Sequence, residues 1–285
     1  MIPKRLWALG AVVLGSMLFL SIGCKVTINI DGDGDVGPTE TRDDSFSVGA
    51  SPVLVVTSEN GSIDVETGPA GTIRVQATLR NAPRVQYEAS EEGDTVTVEA
   101  DVDSGARNAG ADIIVTAPAE TAVELETSNG RIEIQGLEAS GTLRTSNGRV
   151  VIEDVKGDFD VRTSNGPIEV TSMEGEGTLA TSNGPVTLTE VKGAFDVDTS
   201  NGNISFSGEM TAGGDNRLET SNGSVTVELE GTPSVELDAS TNRGKVTSEL
   251  PIDASTKNAK RLVGTIGDGE AELHIRATNG SVTIE

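Results

Sequence analysis

The chain is poor in the residues from which sites are usually built. It has one cysteine, one histidine, one tyrosine and one tryptophan, and aromatic residues make up only 2% of the whole. A lone cysteine, Cys24, excludes any disulfide within the chain. A lone histidine, His274, excludes His-rich metal sites and leaves no repeated general base for the many serines. Outside the first 24 residues only Phe46, Tyr87, Phe159, Phe195 and Phe206 are aromatic, too few for the stacking platforms on which many sugar sites depend. Basic residues are scarce as well: 21 against 45 acidic, a net charge of −24. Such a surface repels nucleic acid and anionic membrane.

What is abundant is repetition. Thr-Ser-Asn-Gly occurs six times, beginning at Thr127, Thr145, Thr163, Thr181, Thr199 and Thr220; the first four intervals are 18 residues and the last is 21. Degenerate copies stand at 57–61, 240–244 and 278–280. Two residues before each Thr is an aliphatic residue: Leu125, Leu143, Val161, Leu179, Val197 and Leu218. Two after each Gly is another (Ile132, Val150, Ile168, Val186, Ile204, Val225), and two further on a third (Ile134, Ile152, Val170, Leu188, Phe206, Val227). A looser fourth column reads Leu137, Val155, Met173 and Val191. The residues between are mostly polar, so each unit reads as two short strands with one buried face.

Asn-Gly marks the bend between the two strands, where a tight corner calls for residues that tolerate positive φ. The predicted corner residues are Asn129-Gly130, Asn147-Gly148, Asn165-Gly166, Asn183-Gly184, Asn201-Gly202 and Asn222-Gly223. No 18-residue unit can bury its own apolar side, but stacked units can, at a rise of roughly 4.8 Å per coil. The asparagines would then form an amide ladder along one edge. Asn-Gly between alternating apolar residues is equally a hairpin signal, giving an antiparallel meander or sandwich as the alternative. A meander of about a dozen units would exceed ordinary sheet size and lack a second layer. The expected fold is therefore an all-β solenoid.

Residues 1–24 read as a lipoprotein signal peptide. Lys4 and Arg5 precede an apolar run over 6–20, too short to span a membrane, that ends in Leu20-Ser21-Ile22-Gly23-Cys24. That ending resembles a bacterial lipobox, which makes Cys24 the lipidation site and the lipid the link to a membrane. By the same resemblance, Lys25 after the cysteine implies export to the outer membrane. Without Lys4 and Arg5 the mature chain holds 19 basic residues against 45 acidic, a net −26. Residues 25–45 read as a flexible acidic tether. Its Asp31-Gly32-Asp33-Gly34-Asp35 fails as a calcium loop, because Val36 and Arg42 stand where glycine and an acid are needed. The folded domain is expected over 46–285: an irregular β-rich cap at 46–120, regular coils at 121–230 and looser C-terminal coils at 231–285. The strands around 272–276 and 281–284 are expected to close the fold.

The repeated Thr-Ser-Asn-Gly-x-Ile/Val-x-Val, after a strand ending at Pro118, resembles the adhesin-like DUF4097 family, whose biochemistry is largely unassigned. The resemblance implies a β-solenoid of the bacterial cell envelope and carries over no catalytic residues. The residues themselves show no nucleotide fingerprint and no recurring nucleophile and base. Catalytic, cofactor-binding and metal-binding residues are accordingly expected to be none. The reading is a non-catalytic, lipid-anchored adhesin or scaffold whose partner is an envelope protein or polysaccharide. The alternatives are a carbohydrate-active β-helix enzyme, by analogy of fold alone, and an accessory of envelope-stress signalling.

Overall fold

The computed structural model describes residues 27–29 and 37–285. Among them the regular structure is β-strand, apart from one short 3₁₀ turn at Ala82–Arg84, and there is no α-helix. Equivalent strands of successive units pair in parallel and in register. Leu143, for example, faces Leu125 on one side and Val161 on the other. Parallel pairing excludes the antiparallel meander, whose neighbours would alternate in direction. The chain is a β-solenoid.

Each coil contributes one strand before its Asn-Gly corner and one after it, so two ladders run the length of the stack. The leading ladder begins with Thr95–Val102, Val53–Asn60, Ala122–Asn129, Gly141–Thr145 and Phe159–Thr163. It continues through the second halves of Ile168–Thr181 and Val186–Thr199 to Asp215–Thr220, Ala271–Ala277 and Val235–Thr241. The trailing ladder starts with Gly110–Ala117, Ile63–Thr67, Ile132–Gln135, Val150–Lys156 and the first halves of the same two long strands. Ile204–Met210, Val225–Leu229, Val282–Ile284 and Val246–Ser248 complete it.

All four aliphatic columns of the sequence lie in the core between the ladders, each residue 0–1% exposed. Phe159, Phe195 and Phe206 are buried with them, the last two ring to ring at 5.8 Å in an edge-on arrangement.

Antiparallel strands cover the ends. Val85–Glu92 covers the leading ladder at one end, and Arg261–Ile266 with Asp253–Lys257 covers it at the other. The trailing ladder is extended at its first end by Thr72–Arg80, Thr39–Ser47 and Thr27–Asn29. Covering a ladder this way blunts the exposed edge that invites uncontrolled pairing.

Three expectations need correction. Thr39–Ser47 is a strand where a tether to residue 45 was expected, because its charges find partners. Asp43 accepts a forked pair of hydrogen bonds from Arg74 (2.8 and 2.6 Å), and Asp44 accepts one from Tyr87 Oη at 3.0 Å. Those bonds hold the Arg74 guanidinium above its ordinary pKa. The region 46–120 is not a separate irregular piece, since Val53–Asn60 and Ile63–Thr67 form a full coil directly beneath 122–135. Finally, Ala271–Ala277 and Val282–Ile284 do not close the stack. They are inserted between the coil at 215–229 and the coil at 235–248, so stack order departs from chain order. Insertion pairs both edges of these apolar strands and leaves the short Val246–Ser248 as the trailing-ladder edge.

Candidate functional site

The four residues of each corner have four different environments. Thr points inward and is buried: Thr127, Thr145, Thr163, Thr181, Thr199 and Thr220 are 1–6% exposed. Ser points outward and is exposed. Asn lies along the corner edge, and Gly lies against the neighbouring coil.

The asparagines form one continuous ladder. Each Nδ2 donates to the Oδ1 of the coil before it: Asn129 to Asn60, Asn147 to Asn129, Asn165 to Asn147 and Asn183 to Asn165, all at 2.8–2.9 Å. Asn201, Asn222 and Asn279 continue the series at 2.8–2.9 Å. Amide dipoles aligned head to tail polarise one another, so inner bonds gain from their neighbours.

Beneath each asparagine the glycines stack as closely. A Cβ on Gly130, Gly148, Gly166, Gly184, Gly202 or Gly223 would lie 1.7–2.0 Å from the carbonyl oxygen of the glycine in the preceding coil. None of these six has positive φ, nor do their asparagines. The expected reason for Asn-Gly, backbone freedom at a bend, is therefore corrected: glycine is needed because no side chain fits between the coils.

The buried threonine was not legible as a contact in the sequence. Its hydroxyl donates to the same glycine carbonyl: Thr145 to Gly130 (3.1 Å), Thr163 to Gly148 (3.1 Å), Thr181 to Gly166 (3.0 Å) and Thr199 to Gly184 (3.0 Å). The alternation of burial predicts an inward Thr, and a buried hydroxyl needs a partner, which is the signal that could have found it. Ser58 occupies this column in the coil of Val53–Asn60, where no Asn-Gly corner lies below, and among the described residues its buried Oγ has no partner.

A second corner was also missed. Gly136, Asp154, Ser172 and Glu190 form a column in the left-handed region, at φ 76°, 53°, 55° and 54°. Three residues beyond the last three, Gly157, Gly175 and Gly193 turn the chain at φ 134–157°.

The outward serines Ser146, Ser164, Ser182 and Ser200 line a groove of about 400 Å³ along the leading ladder. Its floor carries the in-register row Glu126, Arg144, Arg162, Ala180 and Asp198. Arg144 and Arg162 stand side by side and share Asp160 at 3.4 and 3.2 Å. The groove thus has a basic centre in an otherwise acidic protein. The other basic residues of the repeats are also paired: Arg131 with Asp64 (2.8 Å), Arg149 with Glu169 (3.4 Å) and Lys192 with Glu209 (3.1 Å). Tyr87, the one tyrosine, is half-buried with its hydroxyl committed to Asp44. His274 is half-exposed on the leading ladder, its Nε2 3.5 Å from Glu272. Cys24 lies outside the described residues, as do Asp31 to Asp35. Among the described residues no helix is long and apolar enough to cross a membrane.

The sequence profile described as Toastrack DUF4097 matches residues 53–285. No curated protein matches the chain. Among solved structures, a candidate adhesin from Parabacteroides distasonis ATCC 8503 is 14% identical with a TM-score of 0.46, over 86% of this chain and 97% of that one. A candidate adhesin from Bacteroides fragilis NCTC 9343 is 12% identical with a TM-score of 0.43, over 87% and 97%. A candidate lipid-binding protein from Parabacteroides distasonis is 14% identical with a TM-score of 0.27, over 90% and 99%. At this level of similarity they say nothing about what this chain binds.

Proposed function

The chain belongs to the Toastrack DUF4097 family, and from that footing we propose that it is a non-catalytic, adhesin-like protein of the cell envelope that holds an extended partner on its leading ladder. The observation that carries this reading is the groove of Ser146, Ser164, Ser182 and Ser200, with Arg144 and Arg162 at its centre. Hydroxyls repeating once per coil offer evenly spaced hydrogen-bonding groups to a partner that is itself extended, an envelope polysaccharide or a protein strand. The two arginines favour an acidic group on that partner. Exposed pairs on a stiff sheet lose little side-chain freedom on binding, which supports recognition without a deep pocket.

The anchor is part of the proposal. Lipid on Cys24 holds the chain to the envelope membrane, each buried CH₂ contributing about 0.8 kcal/mol. Labelled fatty acid should enter the wild type and not Cys24→Ala; equal labelling of both contradicts the anchor. Partner retention from envelope extract should be lost in Arg144→Glu/Arg162→Glu and kept in a variant altered on the trailing ladder, such as Glu153→Gln. Equal retention by both variants contradicts the groove.

A further inference from the structure

We propose that Asp215, Glu272 and His274 form a zinc(II) site on the leading ladder, at the place where stack order departs from chain order. Asp215 and Glu272 stand 57 positions apart in the sequence, beyond the reach of any spacing motif, yet they are direct cross-strand partners. His274 follows two residues on, on the same face. One ligand atom from each of the three lies within 4.8 Å of the others, and Nε2 of His274 is 3.5 Å from Glu272. Tetrahedral zinc holds ligand atoms roughly 3.3 Å apart, given bonds near 2.0–2.1 Å. All three side chains are exposed and free to rotate by that difference. One imidazole with two carboxylates is a donor set suited to zinc, with a fourth position left for water.

Two features point to a cation here, and a third holds its ligands in place. First, Asp215, Glu272 and Glu236 face one another in register on three successive strands, and like charges set opposite are destabilising. Second, the nearby cations are committed elsewhere. Arg217, opposite His274, pairs with Glu219 at 2.6 Å, and Arg261 makes a forked pair of bonds to Asp238. Among the described residues neither Asp215 nor Glu272 pairs with a lysine or arginine. Third, the backbone beneath is fixed. Asn216 is fully buried, accepting from Phe195 N–H at 3.0 Å and donating through Nδ2 to the Glu272 carbonyl at 3.1 Å. That bond clamps the two ligand-bearing strands together. All three ligands are exposed, which leaves the remaining coordination position open to solvent.

The test is titration of the mature chain with zinc chloride, read by calorimetry and by thermal unfolding, with calcium chloride as the comparison. The expected result is one zinc per chain, a raised Tm, and a loss of affinity of about tenfold or more in His274→Ala and in Asp215→Asn. Glu66→Gln, an exposed acid on the trailing ladder, should leave binding unchanged. Circular dichroism checks that the variants fold. The proposal is overturned if the wild type binds no zinc. It is equally overturned if His274→Ala and Asp215→Asn bind as well as wild type, which would mean loose association with an acidic surface.

Discussion

Gly148 lies so close to Gly130 that a Cβ on the former would sit 1.7 Å from the carbonyl oxygen of the latter. The atom in the way is backbone, held on both sides by parallel pairing, so it cannot yield as a side-chain tip would. Gly148→Ala should therefore cost about 3 kcal/mol or more, since overpacking against fixed backbone lies at the severe end of core substitutions. Gly213 has φ 77° but open space around it, and Gly213→Ala should cost only about 1–2 kcal/mol, the left-handed penalty alone. Urea unfolding of both variants gives the comparison; equal losses would mean that conformation, not contact, selects glycine at the corner.

The threonine hydroxyl joins each coil to the one before. Thr163→Val keeps the shape but leaves the Gly148 carbonyl without this donor, and should cost about 1–2 kcal/mol. Thr163→Ser retains the donor and should lose less. A valine variant as stable as wild type would show that the inward Thr only fills space.

Position along the ladder sets the effect of losing an asparagine. Asn183 both donates to Asn165 and accepts from Asn201, whereas Asn279 donates to Asn222. At about 0.5–1.5 kcal/mol per bond, Asn183→Ala should destabilise roughly twice as much as Asn279→Ala. Equal effects measured by denaturant midpoint would reduce the ladder to independent surface contacts.

The left-handed column carries strain that sequence change can relieve. Ser172 holds φ 55°, a region that Asn tolerates better than Ser. Ser172→Asn should raise stability by about 0.5 kcal/mol, against the small loss of the exposed bond from Ser172 Oγ to Glu190. A drop in melting temperature would contradict this account of the second corner.

Much of the fold is legible in the columns. Alternation places Leu125, Ile132 and Ile134 inside, and an 18-residue interval makes Leu143 repeat Leu125, so the stack follows from the need to bury one face. The corner asparagines stack for the same reason. What local pattern lacks is information about which coil lies above which. Nothing near Glu272 says that its neighbour is Asp215, because that contact depends on an insertion of the last coil between two earlier ones. The glycine was read correctly in place and wrongly in cause, since spacing reports the bend and not the carbonyl pressed against it. Thr39–Ser47 was hidden by its charges, which look solvated until Arg74 and Tyr87 are brought to them.

The stacking itself is tested most directly by one distance. In a Cys24→Ser background, spin labels at Ser128 and Ser221 report on outward positions five coils apart. Parallel coils in register predict a single narrow distribution centred at roughly 24 Å, from a rise of about 4.8 Å per coil. A broad distribution, or a mean far from that value, would contradict the solenoid.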